Sequence, residues 1–360
     1  MNWLDSPLVR ALRDPRTLAG FDDDGWSLLL RQASSAGLLG RLHAQAAALG
    51  IEAALPKAVR RQMNGIEAAV RRQTQAVHWE VRHIAAALEQ IGAPIVLLKG
   101  AAYAAAGLPA ALGRTFSDVD VLVPKAEIAR VEYALGVCGW ASGNLDAYDQ
   151  RYYRRWMHEL PPMVHFRRLT PLDVHHNILP ETARIRTYPD RIIAAATPLA
   201  GYRQVFVPSR VDQVLHSATH LFHEGEWEHG LRDLSDLDLL LRAYGERTDF
   251  WTALTARGDE MNLRRPLAYA LRYTQLVLHT PIPESVLREF GGTRSRAKDR
   301  LMDFLFLNGL ASAHHSLRTR HTAVAQILLY MRSHWLRMPL HLLAPHLLHK
   351  ALPRKESQVA

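Results

Sequence analysis

Through the first ninety residues apolar positions recur every three or four, the period of an amphipathic helix. Asp22–Asp24 ahead of Trp26 mark one helix start, and Gly37 and Gly40 interrupt the apolar run that follows. The stripe is longest after Pro56, where Val59, Met63, Ile66, Val70, Val77, Val81, Ile84 and Leu88 line up and only Gln73 breaks the series. Arg60, Arg61, Arg71, Arg72 and Arg82 fall on the other face, which suits solvent or a phosphate-bearing partner. Gly92 and Pro94 close the segment. The pattern then changes. Ile95–Leu98 is a short continuous apolar run, expected as a buried strand. Lys99-Gly100 reads as a turn, Ala101–Ala106 as a small-residue helix, and Asp118–Val123 as a second strand ended by Pro124. Residues 125–138 read as a helix with Ile128, Val131, Leu135 and Val137 on its apolar side. Tyr148, Arg151, Tyr152, Tyr153, Arg154, Arg155 and Trp156 read as a polar loop whose aromatic and guanidinium planes suit either an ordinary surface or bases and phosphates. Met163–Phe166 and Leu172–His176 read as paired strands joined by a turn at Thr170-Pro171.

The second half is predicted to be helical. Ser209-Arg-Val-Asp212 is a capping box with Asp in place of Glu or Gln, opening a helix to about Phe222. His216, His220 and His223 share one face of it, at a spacing that suits packing or contacts behind an active site more than zinc. Leu231–Tyr244 is amphipathic, and Arg232 and Asp236, four residues apart, are expected to pair. Further helices follow over 250–279 and 284–318, the latter around Gly291-Gly292, and an apolar, basic stretch over 324–354 is interrupted by Pro339, Pro345 and Pro353. The expected organisation is a helical N-terminal region (1–90), an α/β core (91–180), a helical C-terminal domain (181–320) closing one side of a cleft, and a basic amphipathic tail (321–360). The fold class is α+β, a mixed sheet with helices between helical flanks.

Charge narrows the partners. Lys and Arg exceed Asp and Glu by 44 to 35, giving +9 and a pI near 9.8, which favours anionic ligands. The single cysteine, Cys138, excludes an internal disulfide and is expected to be a small buried hydrophobe in a reducing compartment. The sequence opens without an apolar signal core and contains no apolar run of transmembrane length. The expected location is cytoplasmic, with the apolar, basic tail allowing a peripheral contact with the inner membrane or with a protein.

Three carboxylates carry the chemistry. Side chains two apart on a strand point the same way, so Asp118 and Asp120 share a face and repel unless protons or a cation intervene. Asp173, between Leu172 and Val174, projects away from its apolar neighbours on a later strand. Together they suit one or two divalent cations with positions left open for phosphates.

The order strand, Lys99-Gly100 turn, helix, Asp118-Val-Asp120 strand and Asp173 strand resembles the DNA polymerase β-type nucleotidyltransferase superfamily. More closely, Leu98-Lys-Gly100, Arg114, Ser117-Asp-Val-Asp-Val-Leu-Val123 and Leu172-Asp-Val-His175, with His216, His220, His223, Arg232 and Asp236 further on, resemble a bacterial family of uncharacterised nucleotidyltransferases. The resemblance covers roughly residues 60–245. It departs in Ala101, where the superfamily has a second glycine or serine, and in a longer spacing from Gly100 to Asp118.

The resemblance implies transfer of a nucleoside monophosphate from an NTP, such as ATP, to a hydroxyl of a small-molecule, sugar or protein acceptor. Asp118, Asp120 and Asp173 would hold Mg²⁺ (or Mn²⁺) and carry catalysis, and Lys99, Gly100, Arg114 and Ser117 would contact the nucleotide. His175, His220, Arg232 and Asp236 would support the carboxylates from behind. Ala101 and the longer spacing leave open a catalytically weak nucleotide-binding or scaffold protein, and the basic balance leaves open a nucleic-acid-binding or end-modifying one, less favoured than the transferase.

Overall fold

The computed structural model describes residues 3–143, 146–223, 225, 227–290, 296–311 and 313–351. Gly291-Gly292, Pro353 and Arg354, which the sequence reading invokes, lie outside the described residues. Seven strands form one mixed sheet: β1 (Ile95–Leu97), β2 (Val119–Leu122), β3 (Trp140–Ser142), β4 (Met163–His165), β5 (Pro171–His175), β6 (Thr197–Pro198) and β7 (Val205–Val207). Their spatial order is β3-β4-β5-β2-β1-β7-β6. β1 runs antiparallel to β2 and parallel to β7, β2 runs parallel to β5, and β5 runs antiparallel to β4.

The two central strands are short and buried. Every residue of β1 and β2 is buried, Asp120 included. Val119, Val121 and Leu122 fix β2 in the core, each contributing about 1.5–3 kcal/mol by burial. The strand therefore cannot slip without exposing them, and Asp120 is held in register with Asp173 on β5. The β4–β5 hairpin appears as its sequence predicts, and it is tied to the helical layer by charge. Arg168, in its turn, donates from Nε and Nη2 to the fully buried Glu80 at 2.8 and 3.0 Å and lies over the Trp140 ring at 4.5 Å.

The helical readings hold for most of the chain. The long stripe forms one helix, Lys57–Leu88. Gln73 is no flaw in it: its Oε1 accepts the Phe116 N–H at 2.9 Å, just ahead of β2. Ser209 Oγ accepts the Asp212 N–H at 3.3 Å, the expected cap of helix Arg210–His223. The N-terminal helices pack into the same apolar core as the sheet and the C-terminal helices, a core running from Trp3 to Leu329. Two glycines make one of those contacts. A Cβ on Gly113 would stand 2.1 Å from the Gly40 carbonyl oxygen, and one on Gly40 would stand 2.4 Å from that of Gly113.

Several expectations fail, among them the wholly helical reading of 181–320, which contributes β6 and β7 to the sheet beside β1. The 148–156 loop is a helix, Ala147–Trp156, started by Asp146, whose carboxylate accepts the Asp149 N–H at 2.7 Å. Its apolar face is aromatic, with Trp156 in edge contact with Tyr148 and Tyr152, so an aliphatic pattern does not reveal it. Cys138 is exposed, because helix Ile128–Val137 buries only Val131 and Leu135 and leaves Val137 in solvent. Pro345 sits inside helix Leu340–Ala351 instead of breaking it, whereas Pro339 does separate that helix from Thr322–Arg337. Arg232 and Asp236 do not pair, as described next.

Candidate active site

Asp118 and Asp120, just before and within β2, line a cleft of about 440 Å³. Its floor and near wall include Lys99, Gly100, Arg114, Ser117, Asp118 and Asp120. The far wall comes from helix Arg210–His223 through Ser217 and His220, from Trp227 to His229, and from helix Gly230–Gly245 through Arg232, Asp233 and Asp236. Nine residues named from the sequence as nucleotide, metal or supporting groups thus gather around one cavity with others the sequence did not single out. Asp173 stands beside Asp120 on the neighbouring strand and does not line this cavity.

The three aspartates differ in environment. Asp118 is exposed and accepts the Ser117 hydroxyl at 3.1 Å. Asp120 is buried. Burial alone would raise its carboxyl, yet the Lys99 ammonium and a hydrogen bond from His175 hold it well below the usual carboxylate range. Asp173 goes the other way: burial first, and then the adjacent Asp120 charge, push it up to about 7. One carboxylate of the group thus titrates near neutrality.

His175 links Asp120 to a residue the sequence did not flag. Its Nε2 lies 3.1 Å from Asp120 Oδ1 and its Nδ1 lies 3.1 Å from Glu159 Oε2. Burial would lower the imidazole, but the Asp120 hydrogen bond and the Glu159 charge outweigh it and raise it. His158, Glu159 and His175 also form a set of three metal-ligating groups with donor atoms within 4.8 Å of one another. The three aspartates do not close into so tight a set without an ion. Glu159 comes from an irregular segment between helix Ala147–Trp156 and β4, and is placed by an antiparallel bridge to His175. No periodicity marks it in the sequence.

Lys99 and Gly100, expected as a turn ahead of the helix, are its first two residues. Lys99, at the start of helix Lys99–Ala105, has φ 41°, a backbone region that costs a non-glycine residue roughly 1–3 kcal/mol. Gly100 lies within the helix, and a Cβ there would stand 2.6 Å from Arg114 Nη1 and 2.9 Å from the Phe116 ring. Glycine is required at 100 by the side chains crossing it, and the strained turn belongs to the lysine.

Arg114 is held by acids. Its Nε donates to Asp236 Oδ2 at 2.8 Å, and its Nη2 lies 3.9 Å from Asp233. The second Asp236 oxygen lies 2.7 Å from Nη2 of Arg41, a buried arginine that also donates to the Ala110 carbonyl at 2.7 Å and the Ser235 hydroxyl at 3.0 Å. Arg232 turns instead to Asp233, at 3.0 Å. The i,i+4 expectation fails because two arginines distant in sequence reach Asp236 first. Among the expected histidines, His220 lines the cleft, and His216 is buried behind it. Burial, then the charges of Lys99 and His220, hold His216 neutral far below its usual range.

A mixed sheet carrying acidic residues side by side on two adjacent parallel strands, walled by helices, is a nucleotidyltransferase-type α+β fold. A family model described as an uncharacterised nucleotidyltransferase matches residues 22–279, most of the chain, and the protein belongs to that family. The match begins in the N-terminal helices and runs to the end of helix Arg264–Leu278, so it contains both walls of the cleft. No curated protein matches the chain, and no solved structure does.

Proposed function

We propose that the protein transfers a nucleoside monophosphate from an NTP to a hydroxyl group of an acceptor, with Mg²⁺ or Mn²⁺. The observation that carries this reading is the register of Asp120 beside Asp173, with Asp118 two residues earlier at the cleft. A hard divalent cation fits this donor set: all the donors are carboxylate oxygens, and burial and the adjacent Asp120 charge disfavour ionisation of Asp173. Asp118, Asp120 and Asp173 would hold the ion, which when bound neutralises charge on the nucleotide phosphates.

The chain's own groups supply the rest. The Lys99 ammonium stands close enough to Asp120 to shift its ionisation and lines the cleft where a triphosphate would lie. Ser117 orients Asp118, and His175 orients Asp120. The acceptor hydroxyl oxygen forms a bond to the α-phosphorus, the α–β anhydride bond breaks, and pyrophosphate leaves with its electron pair. The hydroxyl proton would pass to the Asp173 carboxylate where that group is ionised and not itself engaged with the ion. Arg114, already neutralised by Asp236 and Asp233, acts mainly as a wall for the nucleotide. This reading agrees with a place in the polymerase β-type superfamily and with a cytoplasmic enzyme.

Each of the four NTPs, labelled at the α-phosphate, is to be incubated with the protein, Mg²⁺ and a cell extract as acceptor source. Transfer of label by the wild type and its loss in Asp118→Asn and Asp120→Asn is the expected result. Transfer that persists in both variants would overturn the assignment. Tight Mg-NTP binding with no transfer would instead favour a nucleotide-binding scaffold.

A further inference from the structure

Helix Thr322–Arg337 is apolar on opposite sides. Its inner side buries Ala325, Leu329, Ser333 and Leu336. Its outer side presents Val324, Ile327, Leu328, Met331 and Trp335, exposed by 40–60%. At 100° per residue these five fall within one third of the helix circumference, opposite the buried face. The exposed strip does not stop at this helix. Leu301 and Phe304 on the adjoining helix Arg296–Leu310 are 51% and 37% exposed, and Leu340, at the start of the next helix, is 62% exposed. Half of the large apolar side chains exposed among the described residues lie between Leu301 and Leu340. A continuous patch of this kind marks a surface that meets something other than water.

Charge selects the occupant. Between Phe304 and Ala351 there is no Asp or Glu, while Arg318, Arg320, Arg332, Arg337 and Lys350 are present. Arg318 and Arg320 are exposed at the start of the patch-bearing helix. Arg184 lies over the Trp335 ring at 3.8 Å, adding a cation at the other end. Tyr330 and Trp335, both exposed, are the residue types that sit at a membrane–water boundary. Asp299 and Asp303 flank Leu301, Asp303 paired with Arg272 at 2.6 Å, and beyond them the apolar strip carries only positive charge, which complements an anionic bilayer. No helix among the described residues is long and apolar enough to cross a membrane, so the contact lies along the surface.

We propose that the outer face of helix Thr322–Arg337, with Leu301, Phe304 and Leu340, docks on the surface of an anionic lipid bilayer, its apolar side chains entering the headgroup boundary and its arginines meeting lipid phosphates. The inner face of the same helix braces the cleft. Arg332 Nη1 donates to the Phe222 carbonyl at 2.8 Å, and a Cβ on Gly225 would stand 2.5 Å from Ser333 Oγ. Both positions adjoin Trp227 in the cleft wall. The docking surface and the cleft are thus two sides of one packed layer. The inference does not depend on the reaction performed in the cleft.

Flotation of the full-length protein with vesicles tests it. The vesicles are phosphatidylcholine alone, or phosphatidylcholine with one quarter phosphatidylglycerol. Wild type is expected to float with the anionic vesicles and at least tenfold less with the neutral ones. Ile327→Asp/Met331→Asp is expected to lower anionic binding at least tenfold, and Arg318→Glu/Arg320→Glu to lower it and weaken its salt dependence. Val324→Asp/Leu328→Asp, on the same exposed strip, repeats the first test independently, and circular dichroism melting checks that each variant is folded. Absence of binding to anionic vesicles overturns the proposal, and so does binding that survives both apolar double variants. A wild-type dimer in sedimentation velocity that Ile327→Asp/Met331→Asp turns into a monomer, without vesicle binding, assigns the patch to a second copy of the chain and equally overturns it.

Discussion

Arg114 and Asp236 meet at 2.8 Å across 122 residues of sequence, and Arg41 completes the contact from the other side at 2.7 Å. Asp236 therefore balances two arginines, one of them almost wholly buried. Removing the carboxylate leaves Arg41 without a counter-charge in the interior. Asp236→Ala is expected to cost about 3–5 kcal/mol of stability, read from the midpoint of urea unfolding. Arg232→Ala, whose guanidinium pairs with Asp233 and not Asp236, is expected to cost far less. Equal losses would contradict the arrangement.

Metal affinity should depend on pH through Asp173. Its folded value of about 7 lies above the 3.8 of an unperturbed aspartate. The sign follows: in the metal-free protein the favourable protonated form is complete below 3.8 and its contribution to stability is lost as pH rises through about 7. Binding of a cation requires the ionised carboxylate, so affinity for Mn²⁺ should strengthen over roughly pH 6 to 8, with proton release. Calorimetric titration in buffers of different ionisation enthalpy measures both. Asp173→Asn should weaken binding and flatten the profile.

Gly100→Ala tests the crossing of Arg114 over the helix. A methyl at this position meets the guanidinium and the Phe116 ring inside ordinary contact distance. The expected loss is about 1–3 kcal/mol, accompanied by weaker nucleotide binding as Arg114 is displaced. Ala101→Gly, one residue on, should leave nucleotide binding unchanged.

Glu159 is expected to act through His175. Glu159→Gln removes the charge facing Nδ1 while preserving size, so the imidazole holds Asp120 less firmly. Metal affinity should fall about 10–100-fold, with thermal unfolding little altered. An unchanged affinity would mean that His175 is positioned by its other neighbours, among them the tilted ring of His158 at 5.3 Å.

The sheet carboxylates were legible because a strand alternates and a buried strand shows its apolar residues in sequence. Asp120 and Asp173 stand against such a background, whereas Asp118, expected on the same strand, lies one residue before β2 and is exposed; the β4–β5 hairpin announced itself at Thr170-Pro171. The partners of those carboxylates were not legible. Arg41 lies in a helix that reads as ordinary N-terminal packing, and only the folded chain brings it to Asp236. The local rule that paired Arg232 with Asp236 is a rule for isolated helices, and it yields when stronger, buried donors arrive. Cys138 shows the same limit from another side: a helix end near apolar residues does not say which of them turn inward. Glu159, placed by one bridge to His175, has no sequence signal at all. Lys99 was recognised as a charge, but its positive φ depends on how β1 hands over to the following helix.

The contact of Gly40 with Gly113 has a bearing on how this chain can be divided. At that crossing two main chains lie against each other with no room for a side chain, and the residue after Gly40 is the arginine that reaches Asp236. A boundary drawn at residue 90 would therefore cut through a joint. A fragment beginning with the sheet would present bare backbone at Gly113 and an acid missing one of its two arginines. A chimera that borrows the first ninety residues from another protein would need the glycine and the arginine in the same two places before its cleft could close.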